Sequence, residues 1–382
     1  MITLKKYSKI LITIIVIITL QTDRAPAQVL PPEKPATNIK DAQKYPRNSM
    51  SMPGKFPGKV VQVHSEKCII ENKFQQNAID EMVTKGVLAL TGVKDVRSAW
   101  RMFVDTTDII GLKVNPVAGI QLSTSIEIVK AIIQQLEKAG IQKKNIVIWD
   151  RREFELHEVG FVGTNFPGIR IVGTEQKDSV GSFYDASGKL YSRGMIDTNW
   201  YYWADVEEKY DAETLPYMTN EGKYSYFSKI VTQQVDKIIN IPILKNAGSS
   251  ITLCLKNLAY GSVSNTGRLH KQLWSETIAE VCAFPPLRDK VVLNIVDGIK
   301  GCYNGGPAAD LQFITEFKSI LIGTDPVAVD RVGYDIILKK RIEEKLQKEE
   351  SPKGKLFLDL AQNLQLGIAD TNKIKLEKIE LH

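Results

Sequence analysis

Three consecutive stretches decide the fold: DIIGLKVN at Asp108–Asn115, TSIEIVKAIIQQLEKA at Thr124–Ala139 and NIVIWD at Asn145–Asp150. The first and third are short apolar runs, which predict buried strands. The middle stretch has its apolar residues on one helical face, and Thr124 and Glu127 have the spacing of a capping box. Strand, helix and strand within about 40 residues predict a βαβ crossover and therefore a parallel pair.

The same alternation continues on both sides of this unit, with a helix at Pro326–Lys348 that Asp325 caps. It predicts an α/β fold, a mostly parallel sheet with helices on both faces and a C-terminal helical region. Residues 175–215 lack a clear period and hold Trp200–Trp203, so they are interpreted as an inserted, lid-like segment. Further strands are expected at Lys59–His64, Ile169–Gly173, Lys237–Leu244, Ile251–Leu255, Lys290–Asp297, Lys318–Ile322 and Ile374–Leu381, and further helices at Gln75–Leu90, Asp95–Phe103, Tyr224–Asp236, Lys271–Phe284 and Leu356–Leu366.

The N-terminus predicts export. Met1–Lys9 is basic, Ile10–Leu20 is apolar, and Ala25-Pro26-Ala27 has the pattern of a signal-peptide cleavage site. We expect a signal peptide at 1–27 and an extracytoplasmic protein, periplasmic or secreted, with no stable membrane insertion after cleavage near Ala27. An uncleaved anchor is the alternative. Residues 28–58 are proline-rich and are interpreted as a linker, and 59–382 as one α/β domain.

Composition excludes several classes of protein. Of the 382 residues, 43% are hydrophobic and 25% charged, which are ordinary globular values. A net charge of +6 is small for this length, so no nucleic-acid partner is expected. The four cysteines never form C-x-x-C, so neither an iron–sulfur cluster nor a zinc finger is expected, and no obligatory disulfide is expected either. The sequence leaves the oligomeric state open.

Polar residues end four of the predicted strands. They are Lys113 with Asn115, Asp150, Lys245 and Asp297, and Arg151 follows Asp150 directly. Ligands of open parallel sheets sit beyond the carboxyl ends of the strands, so this set predicts a binding crevice. The competing interpretation is that every buried strand must end in something polar.

Two further clusters are candidates for the same crevice. Lys256, Asn257, Arg268 and His270 lie around Gly261 and suit a carboxylate or phosphate, with His270 able to move a proton. In the glycine-rich loop Gly298–Pro307, Gly305 and Gly306 allow close approach of a ligand or form a tight turn. Asp330 either favours the dipole of its helix or faces the crevice.

The motifs LCLKNLAYGSVSNTGRLH (Leu253–His270), VVLNIVDGIKGCYNGGP (Val291–Pro307) and ILIGTDPVAVDRVGYDI (Ile320–Ile336) resemble the family Domain of Unknown Function 362. The resemblance implies an α/β protein, found in some members beside iron–sulfur domains, and no established reaction. It also implies that these residues occupy the family's typical positions: Lys245, Lys256, Asn257, Arg268, His270, Asp297, Gly306, Asp325 and Asp330. Relatives often carry a histidine shortly after the lysine that matches Lys245, where this chain has Asn246-Ala247.

Three functions are compatible with these residues. The first is an enzyme for a small anionic or polyhydroxylated substrate, bound by Lys245, Lys256 and Arg268, with His270 and Asp297 moving protons and Lys245 among the catalytic residues. Lys113, Asn115, Asp150, Arg151, Asn257, Gly305 and Gly306 would complete the substrate site. The second is a metal-assisted hydrolase or isomerase, with Asp150, Asp297 and Asp330, together with Asn115, as oxygen ligands of a divalent cation, Mg²⁺ or Ca²⁺. The third is a non-catalytic binding protein for an anionic solute or glycan.

Overall fold

The computed structural model describes residues 34–209, 222–248, 250–346 and 354–382. The predicted signal peptide, 1–27, lies outside these residues. Pro35–His382 forms one compact unit. No helix in the described ranges is long and apolar enough to cross a membrane.

Fourteen strands and eleven helices are described. The strands are β1 (Lys59–Ser65), β2 (Ile69–Ile70), β3 (Lys73–Phe74), β4 (Ile110–Lys113), β5 (Ile146–Arg152), β6 (Arg170–Glu175), β7 (Ile196–Trp203), β8 (Tyr224–Ser228), β9 (Lys237–Asn240), β10 (Ile243–Ala247), β11 (Ser250–Thr252), β12 (Val291–Cys302), β13 (Ile314–Gly323) and β14 (Lys375–Leu381). The helices are α1 (Ile39–Gln43), α2 (Gln76–Thr91), α3 (Val96–Arg101), α4 (Ile126–Lys138), α5 (Glu153–Glu158), α6 (Tyr191–Met195), α7 (Cys254–Ser262), α8 (Trp274–Cys282), α9 (Pro285–Arg288), α10 (Pro326–Glu343) and α11 (Leu356–Asn363).

One mixed sheet organises the molecule. Its strand order is β14-β1-β13-β12-β9-β4-β5-β6, and β10 joins it beside β12 with β11 as its antiparallel partner. The five strands β12-β9-β4-β5-β6 are parallel to one another, whereas β13 is antiparallel to both β1 and β12. The chain proceeds from β4 outward to β6 and returns on the other side of β4 as β9. The strand order therefore reverses between β4 and β9, where open α/β sheets bind their ligands.

Helices cover both faces of the sheet, as predicted. Neighbouring strand residues alternate between two hydrophobic clusters: in β5, Ile146 and Ile148 belong to one and Val147 and Trp149 to the other. Helices α2, α3 and α4 pack in the first cluster, and α7, α8, α10 and α11 in the second. The predicted α/β class is confirmed.

The helix expected at Tyr224–Asp236 is wrong. Tyr224–Ser228 is a strand, β8, that pairs antiparallel with β7, and only Ile230–Gln234 winds into a short π-helical turn. Alternation of buried Ser225 and Phe227 with more exposed tyrosines is a strand pattern, which the helical interpretation overlooked.

The region interpreted as a lid contributes packing in its described part. Residues 191–203 form α6 and β7. Tyr202 is buried and donates a 2.9 Å hydrogen bond from its hydroxyl to Glu280, and the Trp200 ring lies 5.1 Å from that of Tyr45. These aromatic side chains hold the β7–β8 ribbon onto the body.

Part of the predicted linker is folded rather than extended. Ile39–Gln43 is a helix, Met52 is buried, and Arg47 donates a 2.7 Å hydrogen bond to the Gln365 carbonyl. Residues 35–58 thus pack on the α/β body instead of leading to it.

The capping box expected at the start of α4 does not form. The Thr124 hydroxyl accepts from the backbone N–H of Asn115 at 2.9 Å and donates to the Ile241 carbonyl at 2.7 Å, so it links the end of β4 to the β9–β10 connection. The four cysteines are free and buried.

Candidate functional site

A cavity of about 120 Å³ opens where the strand order reverses. Side chains from the carboxyl ends of β4 and β5, from β10 and from one face of α7 converge on it. Its walls are formed by Lys113, Asn115, Val117, Asp150, Arg151, Glu155, Lys245, Thr252, Lys256, Asn257, Tyr260, Gly261, His270 and Pro307. The sequence-predicted residues Lys113, Asn115, Asp150, Arg151, Lys245, Lys256, Asn257 and His270 are all among them.

Helix α7 presents its site residues at helical spacing. Lys256 and Tyr260 are four residues apart, as are Asn257 and Gly261, so all four share one face. The helix is buried along its whole length, and its first backbone amides are bound by Asp330 of α10: Cys254 N donates at 2.6 Å and Leu255 N at 3.0 Å.

A buried ion pair forms one wall. The Lys113 ammonium donates to Asp150 Oδ1, to the Val114 carbonyl at 2.8 Å and to Asn257 Oδ1 at 3.1 Å. Burial lowers the pKa of Lys113, and the carboxylate of Asp150 opposes that shift. A Cβ at Gly261 would lie 2.7 Å from Lys113 Nζ, so only glycine leaves room for this ammonium.

Four buried asparagines form a hydrogen-bonded chain. Two of them, Asn115 and Asn257, line the cavity, and the other two lie outside its wall. Asn115 Nδ2 donates to Asn257 Oδ1 at 2.9 Å, Asn257 Nδ2 to Asn240 Oδ1 at 2.9 Å, and Asn240 Nδ2 to Asn294 Oδ1 at 2.9 Å. Lys245 Nζ donates to the first of them, Asn115 Oδ1, at 3.1 Å. We call these four residues the asparagine chain.

The ends of the asparagine chain fix the direction of every amide. At one end Lys245 Nζ, which carries N–H groups in both its charged and its neutral form, donates to Asn115, so Asn115 turns its oxygen toward it. At the other end Asn294 Nδ2 faces the Gly323 and Thr324 carbonyls at 3.4 and 3.3 Å, which can only accept. Reversing one amide would set donor against donor or acceptor against acceptor.

Lys245 and Lys256 are the two cavity lysines that have no carboxylate partner in the described ranges. In the described ranges Lys245 makes one hydrogen bond, to Asn115, and Lys256 makes no hydrogen bond or ion pair, only approaches of 5.3 and 5.7 Å to the ring centroids of Trp274 and Tyr260. Burial, followed by repulsion from Lys256, lowers the pKa of Lys245 to about 7. Burial, followed by repulsion from Arg151, lowers the pKa of Lys256 to about 8.

His270 enters the cavity as a neutral ring. Its Nδ1 lies 3.0 Å from the Thr266 carbonyl, which can only accept, so the proton is on Nδ1 and the lone pair on Nε2. Burial, with repulsion from Lys256 and Arg151, lowers the pKa of His270 to about 4. The ring offers a hydrogen-bond acceptor at neutral pH.

Arg151 is partly committed to the protein. Its guanidinium lies 3.4 Å from Glu175 and donates to the Tyr260 carbonyl at 3.3 Å and to the Thr266 hydroxyl. Burial raises the pKa of Glu175 to about 7, against the effect of Arg151 and Arg152. Arg151 thus holds the segment that carries His270 against the end of β5.

Asp297 does not reach the cavity, which corrects its prediction as a catalytic residue. Its Oδ2 accepts from the backbone amide of Ser125 at 2.8 Å and from the Ser125 hydroxyl at 2.6 Å, and Oδ1 accepts from Ile299 N at 3.2 Å. Burial raises its pKa. Asp297 binds the amino end of α4, where a carboxylate favours the helix dipole.

Arg268, Gly305 and Gly306 also lie outside the cavity walls. Arg268 is buried and donates to the backbone carbonyls of Ala204, Val206 and Lys223 at 2.8–3.1 Å. Gly306 packs against the Asn246 carbonyl, where a Cβ would overlap it, and this contact places Pro307 at the cavity. Arg268 and Gly306 therefore have structural roles in place of the predicted role in substrate binding.

The predicted metal ligands do not form a set. Asp150 pairs with Lys113, Asp297 binds the start of α4, and Asp330 binds the start of α7. Burial raises the pKa of Asp330 to about 7. No group of three or more His, Cys, Asp or Glu side chains in the described ranges is arranged to hold a metal ion.

Sequence reasoning missed Asn240, Asn294, Tyr260 and Glu155. The two asparagines carried a signal, because each is a lone amide within an apolar strand, KIIN and VVLNIVD. A buried amide requires partners, so such a residue predicts a polar network.

Comparisons with known proteins support the resemblance. Residues 202–335 match the model of the family described as Domain of unknown function (DUF362). No curated protein sequence matches the chain significantly. A crystal structure of a Thermotoga maritima protein from a structural genomics programme is similar at 8% identity and a TM-score of 0.38, covering 72% of this chain and 60% of that one. A likeness this distant carries no argument about function.

Proposed function

We propose that this chain is an enzyme that acts on a small anionic substrate held between Lys245 and Lys256. One observation carries the proposal: both lysines line one cavity, and neither forms an ion pair within the described ranges. The other cavity cations, Lys113 and Arg151, lie beside Asp150 and Glu175.

An anion is the partner that this arrangement lacks. An unpaired buried ammonium is costly, because burial removes its water without supplying an opposite charge. An anion between the two lysines would relieve that cost and would raise the pKa of both. Binding should therefore be accompanied by proton uptake near neutral pH.

The two lysines have different roles in this proposal. Lys256, with a pKa of about 8, remains mostly charged at neutral pH and binds the anion. Lys245, with a pKa of about 7 in the free protein, is partly neutral there, and the fraction that stays neutral when the anion is bound supplies an amine lone pair to the reaction. His270 accepts a hydrogen bond from a substrate hydroxyl or amino group.

The cavity volume limits the substrate. A protein cavity of about 150 Å³ accommodates benzene, with its six heavy atoms. At about 120 Å³, the site suits a short carboxylate. A neighbouring hollow of about 350 Å³ shares Lys256, His270 and Pro307 with it and has Trp274 in its wall, so a longer or polyhydroxylated substrate would extend there.

The experiment is calorimetric titration with propionate, lactate, pyruvate, phosphate and sulfate. We expect at least one to bind, and Lys256→Met to weaken that binding at least tenfold. Lys339→Met, which removes the same charge from a side chain that is 80% exposed, is the matched control and should bind normally. Equal affinity in Lys256→Met would overturn the proposal.

A non-catalytic binding protein would use the same cavity. Nuclear magnetic resonance of the bound carboxylate over hours separates the two functions, because only an enzyme converts it. Export remains part of the proposal, on the basis of residues 1–27, and protease protection of the protein in intact cells tests it.

A further inference from the structure

We propose that Lys245 is a nucleophile that forms an imine with the carbonyl carbon of a short 2-oxo acid, while Lys256 binds its carboxylate. This inference rests on the proposed anion site and names its substrate class. Its first support is the hydrogen bonding of Lys245: Asn115 Oδ1, at 3.1 Å, is its one hydrogen-bond partner in the described part of the chain. The other two positions on Nζ are available to a ligand in the cavity.

The second support is the neighbourhood of Lys245. Its hydrogen-bond partner is a neutral amide. After burial, repulsion from Lys256 has the largest effect on its pKa, and it exceeds the opposing attraction of either Asp150 or Glu155. An amine in a desolvated pocket beside a second positive charge is held neutral enough to attack a carbonyl. The pKa of about 7 leaves roughly half of Lys245 as free amine at pH 7.

The third support is size and polarity. A 2-oxo acid of three carbons has six heavy atoms, which a cavity of about 120 Å³ accommodates. Val117, Pro307 and Tyr260 supply apolar wall for its methyl group, and Lys256 supplies the cation for its carboxylate.

The covalent step balances without a further reactant. The lone pair on Lys245 Nζ forms a C–N bond to the carbonyl carbon, and the C=O π electrons move to oxygen. The two N–H protons then leave with that oxygen as water, and the C=N bond forms. Protonation of the imine from solvent gives an iminium, which withdraws electrons from the next carbon and makes its hydrogens exchangeable.

The test is reductive trapping. The full protein is incubated with pyruvate and cyanoborohydride, and digested for mass spectrometry. We expect a carboxyethyl group on Lys245 in the wild type and in Lys339→Met, none at residue 245 in Lys245→Met, and at least tenfold slower labelling in Lys256→Met. Near-ultraviolet circular dichroism verifies that each variant is folded. Exchange of the pyruvate methyl hydrogens in D₂O should be fastest in the wild type and Lys339→Met, slower in Lys256→Met, and no faster than the uncatalysed rate in Lys245→Met.

Labelling of Lys245 no faster than that of exposed lysines would overturn the inference. Propionate, which has no carbonyl, separates it from the proposed function. If propionate binds in a Lys256-dependent manner but pyruvate is not trapped, the imine is wrong and the anion site stands. If propionate and pyruvate do not bind and nothing is trapped, both fail.

Discussion

Lys245 Nζ donates a 3.1 Å hydrogen bond to Oδ1 of Asn115, a residue 130 positions earlier in the chain. Strand β10 supplies the amine and the loop after β4 supplies the amide, so this contact joins the two sides of the point where the strand order reverses. Asn115 is in turn oriented by the asparagine chain, which ends on the backbone before α10. The position of the proposed reacting amine thus depends on residues that never touch the substrate.

Asn240→Leu tests the asparagine chain. It would leave Asn257 Nδ2 and Asn294 Oδ1 buried without partners, at a cost of about 1–3 kcal/mol for each group. We expect a lower free energy of unfolding and slower labelling of Lys245 in protein that remains folded. Asn372→Leu, at an exposed position, is the control and should change neither. Asn240 acts as a positioning residue, so loss of stability alone, with Lys245 labelling unchanged, would contradict its role.

Gly261→Ala tests the close approach of α7 to Lys113. The added methyl group would press on the Lys113 ammonium and separate it from Asp150. We expect a loss of about 1–3 kcal/mol in the free energy of unfolding, measured by urea titration. Gly194→Ala, where nothing lies within 4 Å of the added Cβ, is the control. Equal stability of the two variants would show that the Lys113 side chain moves away from the added methyl group without a loss of stability.

Lys256→Met should stabilise the protein at low pH. Because the folded-state pKa of about 8 lies below the ordinary value of 10.5, folding with Lys256 charged costs free energy below pH 8. Between pH 8 and 10.5 the folded state releases a proton that the unfolded state keeps, so wild-type stability rises.

The variant should exceed the wild type by about 1–3 kcal/mol at pH 6, and this difference should vanish by about pH 10.5. Denaturant titration at several pH values measures it. Lys339→Met should show no such trend, and a Lys256→Met variant that is less stable than wild type at pH 6 would show that the ammonium has a partner in the folded protein.

Arg268→Met separates structural from binding roles. Removing the guanidinium breaks its hydrogen bonds to three backbone carbonyls. Those of Ala204 and Lys223 keep a backbone donor, but that of Val206 loses its Arg268 donor, so we expect a loss of about 1–3 kcal/mol in the free energy of unfolding. Anion affinity, measured by calorimetry on folded protein, should remain within about twofold of wild type. A tenfold loss of affinity at full stability would restore Arg268 to the binding site.

Much of the site could be predicted from strand ends and one loop motif. Lys113, Asp150 and Lys245 all follow apolar runs. Parallel strands bring their carboxyl ends together at one edge of the sheet, so the sequence pattern correctly predicts that these side chains meet. The sequence also places Lys256 and Asn257 beside them, although its pattern predicts a strand and a turn where the structure has helix α7.

The failures have a common physical cause. Asp297 and Asp330 each bind backbone amides at the start of a helix that is distant in sequence: Ser125, just before α4, and Cys254 of α7. The sequence around a carboxylate that binds the start of a distant helix does not differ from the sequence around a catalytic carboxylate. Only the tertiary contacts distinguish them, and the same holds for Arg268.

The most direct measurement of the central claim is the number of protons taken up when propionate binds. Calorimetry at pH 8 in two buffers of different ionisation enthalpy gives that number. With pKa values of about 7 and 8 in the free protein, an anion between Lys245 and Lys256 should draw in a substantial fraction of one proton or more. Lys256→Met should reduce this uptake, because it removes one titrating amine and the repulsion that lowers the pKa of Lys245. Propionate binding with no proton uptake, or with uptake unchanged in Lys256→Met, would contradict the account.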